Sequence, residues 1–315
     1  MENSAQLAGA EPAGTAAQLA GAESASTFRS VAELTQALRD GGYLADRGLA
    51  TTLFVGLTLD RPILIEGEVG VGKTEVAKTL ATVLHRRLIR LQCYEGIDTN
   101  QALYEWDYAR QMLYIRALSQ RELDADDSVE KLFGPRFLLE RPLLAAVRAG
   151  RQAVLLIDEI DRADDEFEAF LLEVLSDFQI TVPEIGTIRA EAPPLVILTS
   201  NRTRELHDAL KRRCLYHWVD YPDPDREVAI VLTRAPGVSE ALTRKVVAAV
   251  NRLRSLDLAK PPGVAETIDW VRTLEVLGET DLDARTVSDT LGAVIKERDD
   301  LDLARRNLDR IAAGG

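Results

Sequence analysis

Two short stretches of this sequence carry residue types and spacings suited to phosphate chemistry. Gly67-Glu68-Val69-Gly70-Val71-Gly72-Lys73-Thr74 fits the pattern G-x-x-x-x-G-K-[ST]. Its glycines let backbone N–H groups close around an anion, the lysine reaches the β- and γ-phosphates, and the following hydroxyl holds Mg²⁺. The second stretch is Asp158-Glu159, two carboxylates at the end of the apolar run from Ala153 to Ile157. An aspartate there can hold the Mg²⁺ shell beside Thr74. A glutamate next to it can polarise an attacking water as a general base. Alone, an apolar strand ending in Asp-Glu says little, and its carboxylates could simply cap the next helix. Downstream of a phosphate loop it gains weight.

These groups need a scaffold, and the flanks supply one. Pro62-Ile63-Leu64-Ile65-Glu66 reads as a buried strand before the loop, and Thr74 to Leu84 as a helix after it. Strand, glycine loop and helix aim N–H groups and a helix dipole at an anion. Arg87 to Gln92 reads as a second strand. Leu195 to Ser200 is another buried strand, ending at Asn201, where an amide can orient water and the γ-phosphate; a turn-forming asparagine is the plainer reading. Arg212 and Arg213, just before a strand over Leu215 to Val219, could serve a neighbouring subunit as arginine fingers, or be a solvated pair. His207, Cys214 and His217 do not have a metal-ligand spacing.

Elsewhere the pattern is coarser. Residues 1–27 are rich in Ala, Gly, Ser and Glu and repeat Ala-Gln-Leu-Ala-Gly-Ala-Glu twice, which reads as a disordered tail, with a docking peptide as the alternative. Val31, Leu34 and Leu38 share a helix face, and Tyr43 to Leu59 reads as a second helix. Leu103 to Tyr108 and Met112 to Arg116 suggest a hairpin, with a helix over the same residues as the alternative. Residues 119–131 form an acidic run that reads as a solvated loop, and Phe137 to Arg148 looks helical. Phe167, Phe170, Leu171, Val174, Leu175 and Phe178 make an amphipathic stripe, and Gln179 to Arg189 reads as a second hairpin. Beyond Tyr221-Pro222-Asp223 the strands stop. Five helices follow, over 225–234, 239–256, 265–277, 284–297 and 301–311. The division is therefore a tail over 1–27, an α/β nucleotide-binding core over 28–222 and an all-helical domain over 223–315.

Composition bounds the function. The 315 residues are 46% hydrophobic and 28% charged, ordinary for a globular protein. The net charge of −13 opposes the phosphate neutralisation that drives nucleic-acid binding, without forbidding a local basic patch. Two cysteines far apart imply no disulfide framework. No apolar run approaches a membrane span, and the N-terminus lacks a secretory pattern, so the expected location is cytoplasmic.

The ordered set of phosphate loop, inserted hairpin, Asp-Glu strand, second hairpin, polar strand end, arginine pair and helical domain resembles the AAA+ ATPases, and within them the MoxR type. Residues 88–96, 102–106, 201–206 and 211–216 are similar to the subgroup associated with aerobic-type carbon monoxide dehydrogenase. The resemblance spans about residue 30 to the C-terminus. It implies a five-stranded parallel sheet in the order 5-1-4-3-2, ATP with Mg²⁺ at each interface of a ring, expected to be hexameric, and a helical lid. It implies a sensor-1 role for Asn201 and a finger role for Arg213, with Arg212 its competitor. It implies a von Willebrand A-domain partner and a metalloenzyme client such as a molybdenum hydroxylase. One departure stands out. Many relatives carry a sensor-2 arginine at the start of a lid helix, whereas Gly263-Val264-Ala265-Glu266-Thr267-Ile268 has none, leaving Arg272, one to two turns later, as a candidate substitute.

Three functions compete on these grounds. The leading one is an ATP-driven remodelling chaperone. A nucleotide-gated regulator acting on nucleic acid or another complex is the second, and the acidic balance argues against it. A scaffold that binds ATP without hydrolysis is the third, and the intact Asp158-Glu159 pair argues against that.

Overall fold

The computed structural model describes residues 28–118 and 132–312; the expected tail and acidic loop lie outside the described residues. The first helices, α1 (Val31–Asp40) and α2 (Arg47–Leu59), are capped by Ser30 and Asp46, whose side chains accept from Glu33 N and Leu49 N. They lead into β1 (Ile63–Gly67), α3 (Lys73–Val83) and β2 (Arg87–Gln92). An inserted stretch holds α4 (Thr99–Leu103), β3 (Tyr104–Trp106), α5 (Tyr108–Leu118), β4 (Leu138–Glu140) and α6 (Pro142–Ala149). Then come β5 (Ala153–Asp158), α7 (Asp165–Asp177), β6 (Gln179–Val182), β7 (Gly186–Arg189), β8 (Leu195–Ser200), α8 (Asp208–Arg213) and β9 (Leu215–Val219).

Strands β2, β5, β8, β1 and β9 lie side by side in that order, all parallel. In chain order that is the expected 5-1-4-3-2 arrangement. β1, β5 and β8 are buried along their whole length. This is why they read as continuous apolar runs rather than alternating ones. One face, through Ile63, Ile65, Leu156 and Ile197, packs on α1, α2 and α3. The other, through Leu64, Leu155, Ile157 and Leu198, packs on α6 and α7. These two cores hold the sheet between helices, with the carboxyl ends of its strands at one rim.

The second hairpin forms as expected, β6 pairing antiparallel with β7. The first insert differs. β3 pairs with β4, from Tyr104 against Glu140 to Trp106 against Leu138, and not with residues 112–116. Those residues belong to helix α5. Its aromatic and β-prone composition suggested a strand, but only Gln111 on it is buried among the described side chains, and Tyr108, Met112, Leu113 and Ile115 are exposed. The expected helix from Phe137 likewise starts only at Pro142, because 138–140 is taken up by the ribbon.

The C-terminal part is helical: α9 (Pro224–Arg234), α10 (Glu240–Arg254), α11 (Val264–Leu277), α12 (Ala284–Val294), α13 (Arg298–Arg305) and α14 (Leu308–Ala312). They share a third core, around Trp270, Val246, Val250, Leu274 and Val287. The single helix expected at the end is broken into α13 and α14 near Arg306, where Arg306 N and Asn307 N bond to Asp302 O and Ala304 O.

Candidate active site

The phosphate loop leaves β1 at Gly67, and α3 begins at Lys73 with Gly72 as its left-handed N-cap, φ 91°. Lys73 is buried and its Nζ donates to Gly67 O at 2.7 Å and Glu68 O at 2.6 Å. Burial pushes its ammonium down from the ordinary lysine value, opposed by the carboxylates of Asp161, Glu68, Asp158 and Glu159. A cation held this way can exchange two carbonyls for phosphate oxygens without leaving the loop.

β5 delivers Asp158 and Glu159 to the same rim. Asp158 Oδ1 accepts from Thr74 Oγ1 at 3.0 Å and from Thr199 Oγ1 at 2.5 Å. Its Oδ2 accepts from Arg90 Nε at 3.0 Å and Nη2 at 2.5 Å. Glu159 stands in the left-handed region, φ 56°, ψ 50°, which costs about 1–3 kcal/mol for a residue with a side chain. The bond from its N–H to Thr199 Oγ1 at 3.0 Å holds it there. Its Oε2 accepts from Gln92 Nε2 at 3.0 Å and Arg162 Nη1 at 3.2 Å. Asn201, one residue beyond β8, faces the same cavity.

That cavity, of about 360 Å³, takes in Lys73, Thr74, Asp158, Glu159, Thr199 and Asn201. Val69, Gly70, Val71 and Gly72 line it too, whereas Gly67 and Glu68 meet Lys73 from behind. Its lining also includes the apolar residues Leu44, Val219, Pro222, Ile230, Val264 and Ile268, beside the charged Asp46, Glu75 and Asp220. A lining that combines polar and apolar side chains has the character of a slot for a phosphorylated ligand with a flat organic end. Thr74 and Asp158 are hard oxygen donors already in contact, a set that fits Mg²⁺, which takes one or two protein oxygens and the rest from phosphate and water. Among the described residues no group of three or more His, Cys, Asp or Glu could hold a metal.

The other expected residues lie elsewhere. Arg212 and Arg213 end α8 just before β9, whose Leu215 pairs with Ile63 at the start of β1. They are therefore about one strand, roughly 16 Å, from the Gly67 end of the sheet. Arg213 Nη1 donates to Leu172 O at 2.9 Å. Neither lines this chain's own cavity. The expectation for Arg272 is corrected: its Nη2 donates to Arg234 O at 2.7 Å, and it does not line the cavity. The lining arginines are Arg226 and Arg234 of α9. Arg234 Nη1 pairs with Glu75 at 2.9 Å, and Arg226 Nη2 donates to Leu44 O at 2.9 Å and lies 3.5 Å from Asp46 Oδ2. Sequence reasoning missed Thr199, Arg90 and Gln92 as well. A hydroxyl at the end of an otherwise apolar strand was the available signal for Thr199.

Residues 62–214 match the family model of the AAA domain, dynein-related subfamily. An uncharacterised protein of Staphylococcus saprophyticus is 24% identical over 225 residues, covering 69% of this chain and 77% of that protein. One of Staphylococcus aureus is 30% identical over 174 residues, covering 53% and 58%. Among solved structures, the RuvB Holliday junction branch migration motor of Thermotoga maritima is 17% identical over 85% of this chain and 76% of its own, with a TM-score of 0.46. The segment 62–214 is thus similar to an AAA domain, and the fold around it is a five-stranded parallel sheet between helices with a helical C-terminal part. No helix among the described residues is long and apolar enough to cross a membrane.

Proposed function

We propose that this chain is an ATP-hydrolysing AAA+ remodelling machine of the MoxR type, working in a ring. The observation that carries the reading is the 3.0 Å bond from Thr74 Oγ1 to Asp158 Oδ1, made where Lys73, Glu159 and Asn201 share one cavity. In this reading Lys73 and the N–H groups of residues 70–74 hold the phosphates. Thr74 and Asp158 would hold Mg²⁺, which neutralises charge across the β- and γ-oxygens. Glu159 orients a water and takes its proton, released from Gln92 and Arg162 as the substrate enters. Asn201 donates to the water or γ-phosphate. Arg213, or Arg212 beside it, completes the cavity of the next subunit.

The finer assignment is a chaperone that matures a metalloenzyme, a molybdenum hydroxylase such as carbon monoxide dehydrogenase, together with a von Willebrand A-domain protein. Its support is the resemblance of residues 88–96, 102–106, 201–206 and 211–216. The test is capture. Glu159→Gln protein, held with ATP and Mg²⁺ in an extract of its native cells, retains both partners and releases them without ATP. Retention of neither removes the client assignment and leaves the ATPase. Retained nucleic acid puts a nucleic-acid regulator first.

A further inference from the structure

The helical part reaches the phosphate loop through backbone. Gly263 caps α11, and the helix starts directly on Gly70: Val264 N donates to Gly70 O at 3.0 Å and Ala265 N at 3.3 Å. The two glycines touch. A Cβ on Gly263 would stand 2.6 Å from Gly70 Cα and 2.8 Å from Val69 O, and one on Gly70 would stand 2.9 Å from Gly263 Cα. Gly70 has φ +77°, so it needs glycine for its conformation as well as its space. Gly263, at φ −83° and ψ −175°, has a backbone that any residue adopts, so only the close approach requires glycine there. Glu266 folds back to accept from Gly263 N at 2.9 Å and fixes the first turn.

The N–H groups of Val264 and Ala265 are the first of a 14-residue helix and have no partner within it. Here both go to one carbonyl of the loop. The Gly70–Val71 peptide is trans, since the described chain has no cis bonds, so Val71 N–H points opposite to that carbonyl, away from α11. Val71 lines the cavity. Hydrogen bonds accepted at one end of a peptide polarise it and strengthen the donor at the other.

We propose that the Gly70–Val71 peptide couples the helical part to bound nucleotide, with the N-terminus of α11 on its oxygen and phosphate on its N–H. The proposal rests on the nucleotide reading above. Docking of α11 tightens phosphate binding, and bound phosphate tightens docking by the same factor, as linkage requires. Gly263 is then a positioning residue. The helical part grips the phosphates without the arginine that residues 263–268 lack and that Arg272, bonded to Arg234 O, does not supply.

The experiment is amide hydrogen exchange on the full chain with ADP, with adenosine and without ligand, beside titration of a fluorescent ADP into the wild type, Gly263→Ala and Gly292→Ala. ADP slows exchange at Val264 and Ala265 by roughly 5- to 150-fold, the usual span of such coupling; adenosine, without phosphate, slows neither. Gly263→Ala weakens ADP binding by the same factor. Gly292→Ala, whose Cβ meets nothing within 4 Å, leaves it unchanged. ADP binding with unaltered exchange at those two amides overturns the coupling and leaves the nucleotide site standing, as does full-strength binding by a folded Gly263→Ala protein. Failure of the wild type to bind ADP at all overturns the nucleotide reading, and the coupling with it. Should Gly263→Ala not fold, exchange in the wild type decides.

Discussion

Asp158 is almost wholly buried and receives four donors, from Thr74, Thr199 and twice from Arg90. Arg90 also donates to Gln92 Oε1, and Gln92 Nε2 donates to Glu159. Two residues of β2 therefore tie together the two carboxylates at the end of β5. A divalent ion held as proposed on Asp158 would compete with the Arg90 guanidinium. Arg90→Met should lower the Mg²⁺ concentration that half-saturates nucleotide binding by about tenfold, the equivalent of one charge-assisted hydrogen bond of about 1.5 kcal/mol. An unchanged or raised midpoint in a magnesium titration removes that competition. Glu159→Gln keeps the geometry but removes the proposed base. It should bind nucleotide as the wild type does and turn over roughly 10²- to 10⁴-fold more slowly, measured as phosphate release; normal release would take the base role from Glu159. The two cysteines are a contrast. Burial pushes the thiols of Cys93 and Cys214 up to about 12. The thiolate is the reactive form, so neither should react with an aromatic disulfide reagent at pH 8 until the chain unfolds.

At the scale of elements, what the sequence revealed is what local pattern can reveal. β1, β5 and β8 were legible because burial on both faces leaves an uninterrupted apolar run, and α7 because its stripe is amphipathic. The phosphate loop and Asp158-Glu159 were legible as motifs, and the structure brings them to one cavity. The ribbon of β3 and β4 was not, because its strands lie about thirty residues apart and no local signal joins Tyr104 to Glu140. The cavity-facing arginines were hidden for a similar reason. Arg226, Arg234 and Arg272 look alike in sequence, and only the packing of α9 against α11 decides which way each points. Packing also creates a buried ion pair in the helical part. Arg254 of α10 meets Glu227 of α9 at 2.7 and 2.9 Å, with Thr267 of α11 donating to the same carboxylate at 2.7 Å. Glu227 is fully buried, so removing its partner strands a charge. Arg254→Ala should cost about 3–5 kcal/mol in urea unfolding. A loss below about 1 kcal/mol would mean that water reaches Glu227 and that the three helices are joined by their apolar core alone.

For the whole molecule, the proposed finger role of the arginine pair requires an assembly. A residue at the amino end of β9 cannot contact a ligand at the carboxyl end of β1 in the same chain, yet in a head-to-tail ring it can contact the next one. This separates two roles that a single chain cannot combine. A subunit with Arg213→Ala keeps an intact cavity but gives nothing to its neighbour. A subunit with Glu159→Gln has a dead cavity but still presents its arginine. Each alone should be slow, the first by roughly 10³-fold if Arg213 acts as other arginine fingers do. Mixed in equal amounts and allowed to exchange, about a quarter of the interfaces would pair a live cavity with a live arginine. Phosphate release by the mixture should then rise well above either parent and fall again on dilution below the assembly concentration. No gain on mixing, while Arg213→Ala alone is slow, would place Arg213 in a structural role through its bond to Leu172 O. A fast Arg213→Ala protein would pass the role to Arg212, and the same mixing of Arg212→Ala with Glu159→Gln would decide whether the cavity is shared at all.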